Sequence, residues 1–119
     1  MSYDGEPHHT LKRGDTKSIV FKVAHLLFDC GFTVAFKATL TYDMIKHLSD
    51  IWDSYEEAYY EFNGKINYSP TLDTRHVIES DFNEWKRQLV NIAKKELSFF
   101  GKNGTFLMNW FNFPMKCSC

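Results

Sequence analysis

The chain ends in NWFNFPMKCSC, where Cys117 and Cys119 sit one residue apart behind a run of aromatics. Two thiols this close could chelate a soft metal or cycle as a dithiol. A structural zinc needs four ligands, usually from two paired knuckles. The remaining thiol, Cys30, stands alone at the end of a predicted helix. The spacing therefore supplies no metal site, and the pair reads as free thiols on a flexible tail over 117–119.

The histidines are the next groups that could do chemistry. His8 and His9 are adjacent in a polar N-terminal stretch, while His25, His47 and His76 fall in three different elements. A small enzyme or ligand-binding domain would need these three to meet carboxylates such as Asp43, or the Cys30 thiol, in space. No HExxH and no Gly-x-Ser-x-Gly motif occurs. LKRGDTKS carries Gly, Lys and Ser before a helix but lacks the Walker spacing, and reads as an ordinary N-cap turn. No catalytic residue and no cofactor is expected.

The strongest local signal is a run of acids. Asp43, Asp50, Asp53, Glu56, Glu57 and Glu61 oppose one lysine, Lys46, on a helix predicted over 42–62. Glu56, Glu57 and Glu61 crowd its C-terminal end, where the helix dipole is already negative. Such a conflict between local rules often marks function. The expected binding surface is Asp50, Asp53, Tyr55, Glu56, Glu57, Tyr60 and Glu61, an acidic, tyrosine-bearing face suited to a basic protein partner. The competing reading pairs these acids internally with Arg87, Lys94 or Lys95 on the neighbouring helix, a modest gain for surface pairs.

A basic stripe also exists: Lys86, Arg87, Lys94 and Lys95 on a helix predicted over 80–100. Asp81, Glu84 and Glu96 dilute it, and a pI near 6.5 lacks the basic footprint of a nucleic-acid binder. Nucleic acid is thus the less favoured partner.

These groups must be positioned by a single domain of 119 residues. Aromatic residues make up 17% of it, with eleven Phe, six Tyr and three Trp, enough to fill a small core and still supply an interface. The formal charge of −1 creates no global attraction to nucleic acid or membrane. No stretch approaches the roughly 20 apolar residues of a membrane span. MSYDGEPHH is polar and lacks the pattern of a signal peptide. Three cysteines without a disulfide framework fit a reducing, cytoplasmic setting.

Residues 1–14, with Gly5, Pro7 and Gly14, read as a flexible arm ahead of a domain over 15–116. Ser18, Lys22, His25 and Asp29 recur at helical spacing and predict a helix over 16–30, with Gly31 as its stop. FTVAFKATLT alternates as a strand, with Phe32, Val34, Phe36, Ala38 and Leu40 on its core face. On the long helix, Ile45, Leu48, Trp52, Tyr55, Tyr59 and Phe62 form the apolar stripe, and Asn63-Gly64 ends it. Short strands are expected at 66–68 and 76–78. The third helix is expected to bury Phe82, Trp85, Leu89, Ile92, Ala93, Leu97 and Phe100 and to stop at Gly101. A last strand over 105–113 is apolar on both faces, so it is either central or a site of self-association. The fold class is α+β: three helices packed on a small, mostly antiparallel sheet of three to four strands.

No motif assigns a family. Small, aromatic-rich, motif-free chains of this style are common among accessory proteins of phages and mobile elements. The leading expectation is a non-catalytic interaction protein, an inhibitor or accessory factor, that binds another macromolecule through the acidic helix.

Overall fold

The computed structural model describes residues 1–6, 9–10, 14–72 and 82–108. Three helices lie within them: α1 (Lys17–Asp29), α2 (Leu48–Glu61) and α3 (Phe82–Asn103). Two strands, β1 (Val34–Leu40) and β2 (Ile66–Leu72), form the sheet, and a 3-10 turn (Tyr42–His47) leads into α2. The molecule is a small mixed α+β domain.

The sheet differs from the expectation. It is two-stranded and parallel, with Val34 opposite Ile66 and Leu40 opposite Leu72, rather than three to four antiparallel strands. The physical reason is the connection. An antiparallel neighbour needs a short hairpin, whereas a chain that runs through a whole helix between strands returns in the same direction. Here α2 lies between β1 and β2. Isolated bridges repeat the rule on both edges: Ser2 pairs with Lys37 and Met108 with Tyr68, both parallel. Each step across the sheet, from Ser2 to β1 to β2 to Met108, is separated in sequence by one of the three helices.

β1 alternates as expected from Val34 onward, with Val34, Phe36, Ala38 and Leu40 buried and Ala35, Lys37 and Thr39 exposed. Phe32 is the exception; it precedes the strand and stands exposed. Under the buried face, α1 contributes Phe21, stacked on Phe36 at 5.6 Å between ring centres, together with Ala24. α2 contributes Leu48, Ile51, Trp52, Tyr55 and Ala58, and Phe62 just beyond it meets Phe36 edge-on at 6.1 Å. The steps of three and four read from the sequence are the steps that bury this helix.

α3 departs from its expected face. Its buried residues are Gln88, Ile92, Glu96 and Phe99, while Phe82, Leu97 and Phe100 are exposed. The helix is rotated because two of its polar side chains find internal partners, described below. It also continues through Gly101 to Asn103, and Gly104, at φ 73°, takes the left-handed conformation that ends it. An interior glycine costs a helix only about 1 kcal/mol.

The chain's first residues are packed, contrary to the arm read from their composition. Tyr3 has 0% exposure. Its N–H donates to Lys37 O at 3.0 Å, and Lys37 N–H donates to Met1 O at 2.8 Å, so the segment lies along the free edge of β1. Gly5 makes this docking possible. Its φ is +84°, and a Cβ there would fall 2.7 Å from Ile51 Cγ2. Gly5→Ala is expected to cost about 1–3 kcal/mol from backbone conformation alone and more from displacing Ile51. Gly14, at φ +68° with open space around it, isolates the conformational part. Urea unfolding of the Gly5→Ala and Gly14→Ala variants should show the first clearly less stable.

The second expected strand at 76–78, residues 109–113 of the last strand, and the tail over 117–119 lie outside the described residues. Within 105–108, Leu107 and Met108 are both buried.

Candidate functional site

The residues of the expected binding surface project from α2. Asp50, Asp53, Glu57, Tyr60 and Glu61 are exposed and Glu56 is half-buried, all on the side of the helix turned away from the core. Tyr55 is the correction. It has 0% exposure and stacks on Tyr68 of β2, so it belongs to the core and cannot contact a partner. Burial is its dominant constraint, pushing the phenol well above its ordinary range, with the neighbouring Tyr68 adding to the effect.

Two of the acids have internal partners. Lys95 Nζ lies 2.6 Å from Asp53 Oδ1 and 5.7 Å from the centre of the Trp52 ring. His25 Nε2 lies 2.6 Å from Glu61 Oε2, with its imidazole 4.4 Å from the Phe62 ring centre. His47 Nδ1 is 3.7 Å from Asp50 Oδ2, at the edge of ion-pair range. Glu56 and Glu57 make no ion pair with a described residue. Internal pairing by α3 thus reaches Asp53 alone among the α2 acids, through Lys95.

Beside this face lies a cleft of about 180 Å³, lined by Trp52, Asp53, Glu56, Lys95, Ser98, Phe99 and Lys102. Its polar groups are two carboxylates facing two ammonium groups, with one hydroxyl. Tyr60 stands further along the helix, accepting a hydrogen bond from Asn103 Nδ2 at 3.1 Å.

α2 is held in place by polar clamps that the sequence reading missed. Gln88 Oε1 accepts from Ser49 N–H at 3.3 Å and from Ser49 Oγ at 3.1 Å, and its Nε2 donates to Lys46 O at 3.1 Å. Glu96, read as a solvent-facing charge, has 0% exposure. Its carboxylate accepts from Trp52 Nε1 at 2.9 Å, Leu107 N–H at 2.8 Å and Met108 N–H at 2.9 Å. One side chain therefore ties α3, α2 and the segment at the edge of β2. The available signal was the spacing: Gln88, Ile92, Glu96 and Phe99 share one helical face, and the buried Trp52 indole needs an acceptor.

The histidines do not converge. His25 contacts the last residue of α2 and His47 contacts its first turn, roughly 16 Å apart along the helix axis. His9 is buried at a third place, accepting from Asp4 N–H at Nδ1 and bonded to Thr16 Oγ1 at 2.9 Å through Nε2. His76 and Cys117 and Cys119 lie outside the described residues; Cys30 is exposed and free. Among the described residues no group of three or more His, Cys, Asp or Glu is placed to hold a metal ion.

The basic stripe on α3 is half consumed. Arg87 Nε donates to Glu84 Oε2 at 2.9 Å, and Lys95 is engaged with Asp53. Hydrogen bonds from Arg87 and then Gln88 hold the Glu84 carboxyl down at about 2. Lys86 and Lys94 remain exposed. No helix of the described residues is long and apolar enough to cross a membrane.

Compared with protein-family models, curated proteins and solved structures, the chain matches none.

Proposed function

We propose that this protein is a non-catalytic interaction protein that binds a basic surface of another protein through the exposed side of α2, acting as an inhibitor or accessory factor in the cytoplasm. The contact residues are Asp50, Asp53, Glu56, Glu57, Tyr60 and Glu61. The observation that carries this reading is the charge at the end of α2: among the described residues Glu57 has no ion-pair partner, and the last turn of α2 holds no basic residue. The surface carboxylate Glu84 on α3 is, by contrast, matched by its own neighbour. A carboxylate near a helix C-terminus costs a few tenths of a kcal/mol to about 1 kcal/mol when exposed, and a cationic partner docking there would relieve it. Tyr60 adds an exposed, amphipathic ring near the C-terminal end of the face, as interface tyrosines do.

The test is Glu57→Lys combined with Glu56→Gln. Glutamine is chosen at 56 because a lysine there would confront Lys95 and Lys102 across the cleft. The variant should melt no lower than the parent chain. In affinity capture from host extract, the basic partner retained by the parent should be lost or weakened, and its binding should become less sensitive to salt. A variant that unfolds more easily, or that retains the same partner with unchanged salt dependence, counts against the surface.

A further inference from the structure

α1 buries one side under β1 and leaves a second apolar side in solvent. Ile19 and Leu26 are 62% and 67% exposed, Val23 is 44% exposed, and Cys30 is exposed as well. Ile19, Val23, Leu26 and Cys30 follow one another at steps of four, three and four, the repeat of a two-helix seam. The residues flanking the seam are also spaced by sevens. Lys22 and Asp29 border one side, Val20 and Leu27 the other. Lys22 and Asp29 are exposed and make no ion pair with a described residue.

We propose that this face pairs with the same face of a second copy, antiparallel, about a two-fold axis between Val23 and Leu26. A two-fold contact must be self-complementary, and this helix is so in only one direction. With α1 antiparallel to its copy, Val23 packs against the partner's Leu26 and Ile19 against the partner's Cys30. Like flank then meets like flank. Lys22 meets the partner's Asp29 and Asp29 the partner's Lys22, while Val20 lies beside the partner's Leu27. A parallel pair would instead set Lys22 against a leucine and match no charges. The seam residues belong to α1 and its cap, and none of them is among the acidic residues of α2. The helix is short, which places the contact at the small end of specific interfaces, where association is weak and reversible.

Sedimentation equilibrium on the full chain tests this. The parent should be a reversible dimer. Leu26→Glu should be monomeric at the same concentration, with an unchanged circular-dichroism melt because Leu26 is exposed. Lys22→Asp should weaken the dimer roughly tenfold, since symmetry turns two attractions into two repulsions. Adding Asp29→Lys should restore it. In a Cys117→Ser, Cys119→Ser background, Ile19→Cys should be locked by oxidation into a disulfide dimer. The same background without Ile19→Cys should not, because the two Cys30 residues lie about 16 Å apart along the antiparallel helices. A monomeric parent, a charge exchange that fails to restore association, or a disulfide between two Cys30 residues would overturn the proposal.

Discussion

Glu96→Ala should lower the stability of the fold by about 3–5 kcal/mol. Glu96 is fully buried, and all three of its contacts are donors: the Trp52 indole N–H and the backbone N–H groups of Leu107 and Met108. Truncation leaves these donors in an interior with no acceptor, at about 1–3 kcal/mol for each that cannot reach water. The loss is also mechanical. Met108 bridges to Tyr68 at the edge of β2, and the carboxylate is what fixes its N–H. Against a typical stability of about 5–15 kcal/mol this is a large fraction. Glu96→Gln keeps one acceptor and turns an amide NH₂ toward a donor, so it should fall between the two. Trp52→Phe removes one donor and should be strongly non-additive with Glu96→Ala in a double-mutant cycle. The measurement is urea unfolding with linear extrapolation. A cost under about 1 kcal/mol for Glu96→Ala would mean that the three donors are satisfied in another way.

The same residue shows where sequence reading stops. On α2 the inward side is apolar except for Ser54, and the steps of three and four through Leu48, Trp52 and Tyr55 gave the buried face directly. On α3, Gln88 and Glu96 interrupt the buried face, and an apolar-stripe argument rotates the helix away from them toward Leu97 and Phe100. Burial of a polar side chain depends on its partners, and those come from other elements. Trp52 and the backbone of Leu107 and Met108 cannot be seen from the local pattern of residues 82–103.

The parallel sheet, in contrast, was legible. The expected order was helix, strand, helix, one or two short strands, helix, strand, and strands separated by helices imply parallel pairing through helical crossovers. The antiparallel expectation did not use that alternation. The N-terminal segment was hidden for a different reason. Gly5 and Pro7 are loop signals, and nothing in six residues distinguishes a loose arm from a strand docked on an edge. The deciding fact is that β1 offers a free edge and the core a place for the Tyr3 ring, between Phe21, Phe36 and Tyr55 at 5.1–5.6 Å. Of the residues expected on the acidic side of α2, Asp50, Asp53, Glu57, Tyr60 and Glu61 are exposed and Glu56 is half-buried, whereas Tyr55 is in the core, as its position on the apolar stripe already argued.

Raising the pH should unfold the protein cooperatively above pH 10, through the buried tyrosines. Burial lifts the Tyr3 phenol from its ordinary 10.0 to about 12; the hydrogen bond with Ser54 opposes this, and the nearby charges of Glu6, Glu57 and Glu61 add to it. Tyr68 is pushed further up by burial, and Tyr55 by burial and by Tyr68. All three shifts have the same sign. In the folded chain these phenols hold their protons, whereas in the unfolded chain they ionise near 10. Their contribution to stability is therefore complete below pH 10 and disappears as the pH climbs toward 12 and beyond. Tyr3 alone, shifted by about two units, accounts for roughly 3 kcal/mol at the upper end of that window, and the other two add to it. Tyrosinate absorbance and circular dichroism should then change together in one steep transition. Tyr3→Phe should lose the Ser54 hydrogen bond, about 1 kcal/mol at neutral pH, yet show a shallower dependence on alkaline pH because one linked proton is gone. Smooth titration of all six tyrosines near pH 10, with the circular dichroism unchanged, would contradict the burial of the Tyr3, Tyr55 and Tyr68 hydroxyls.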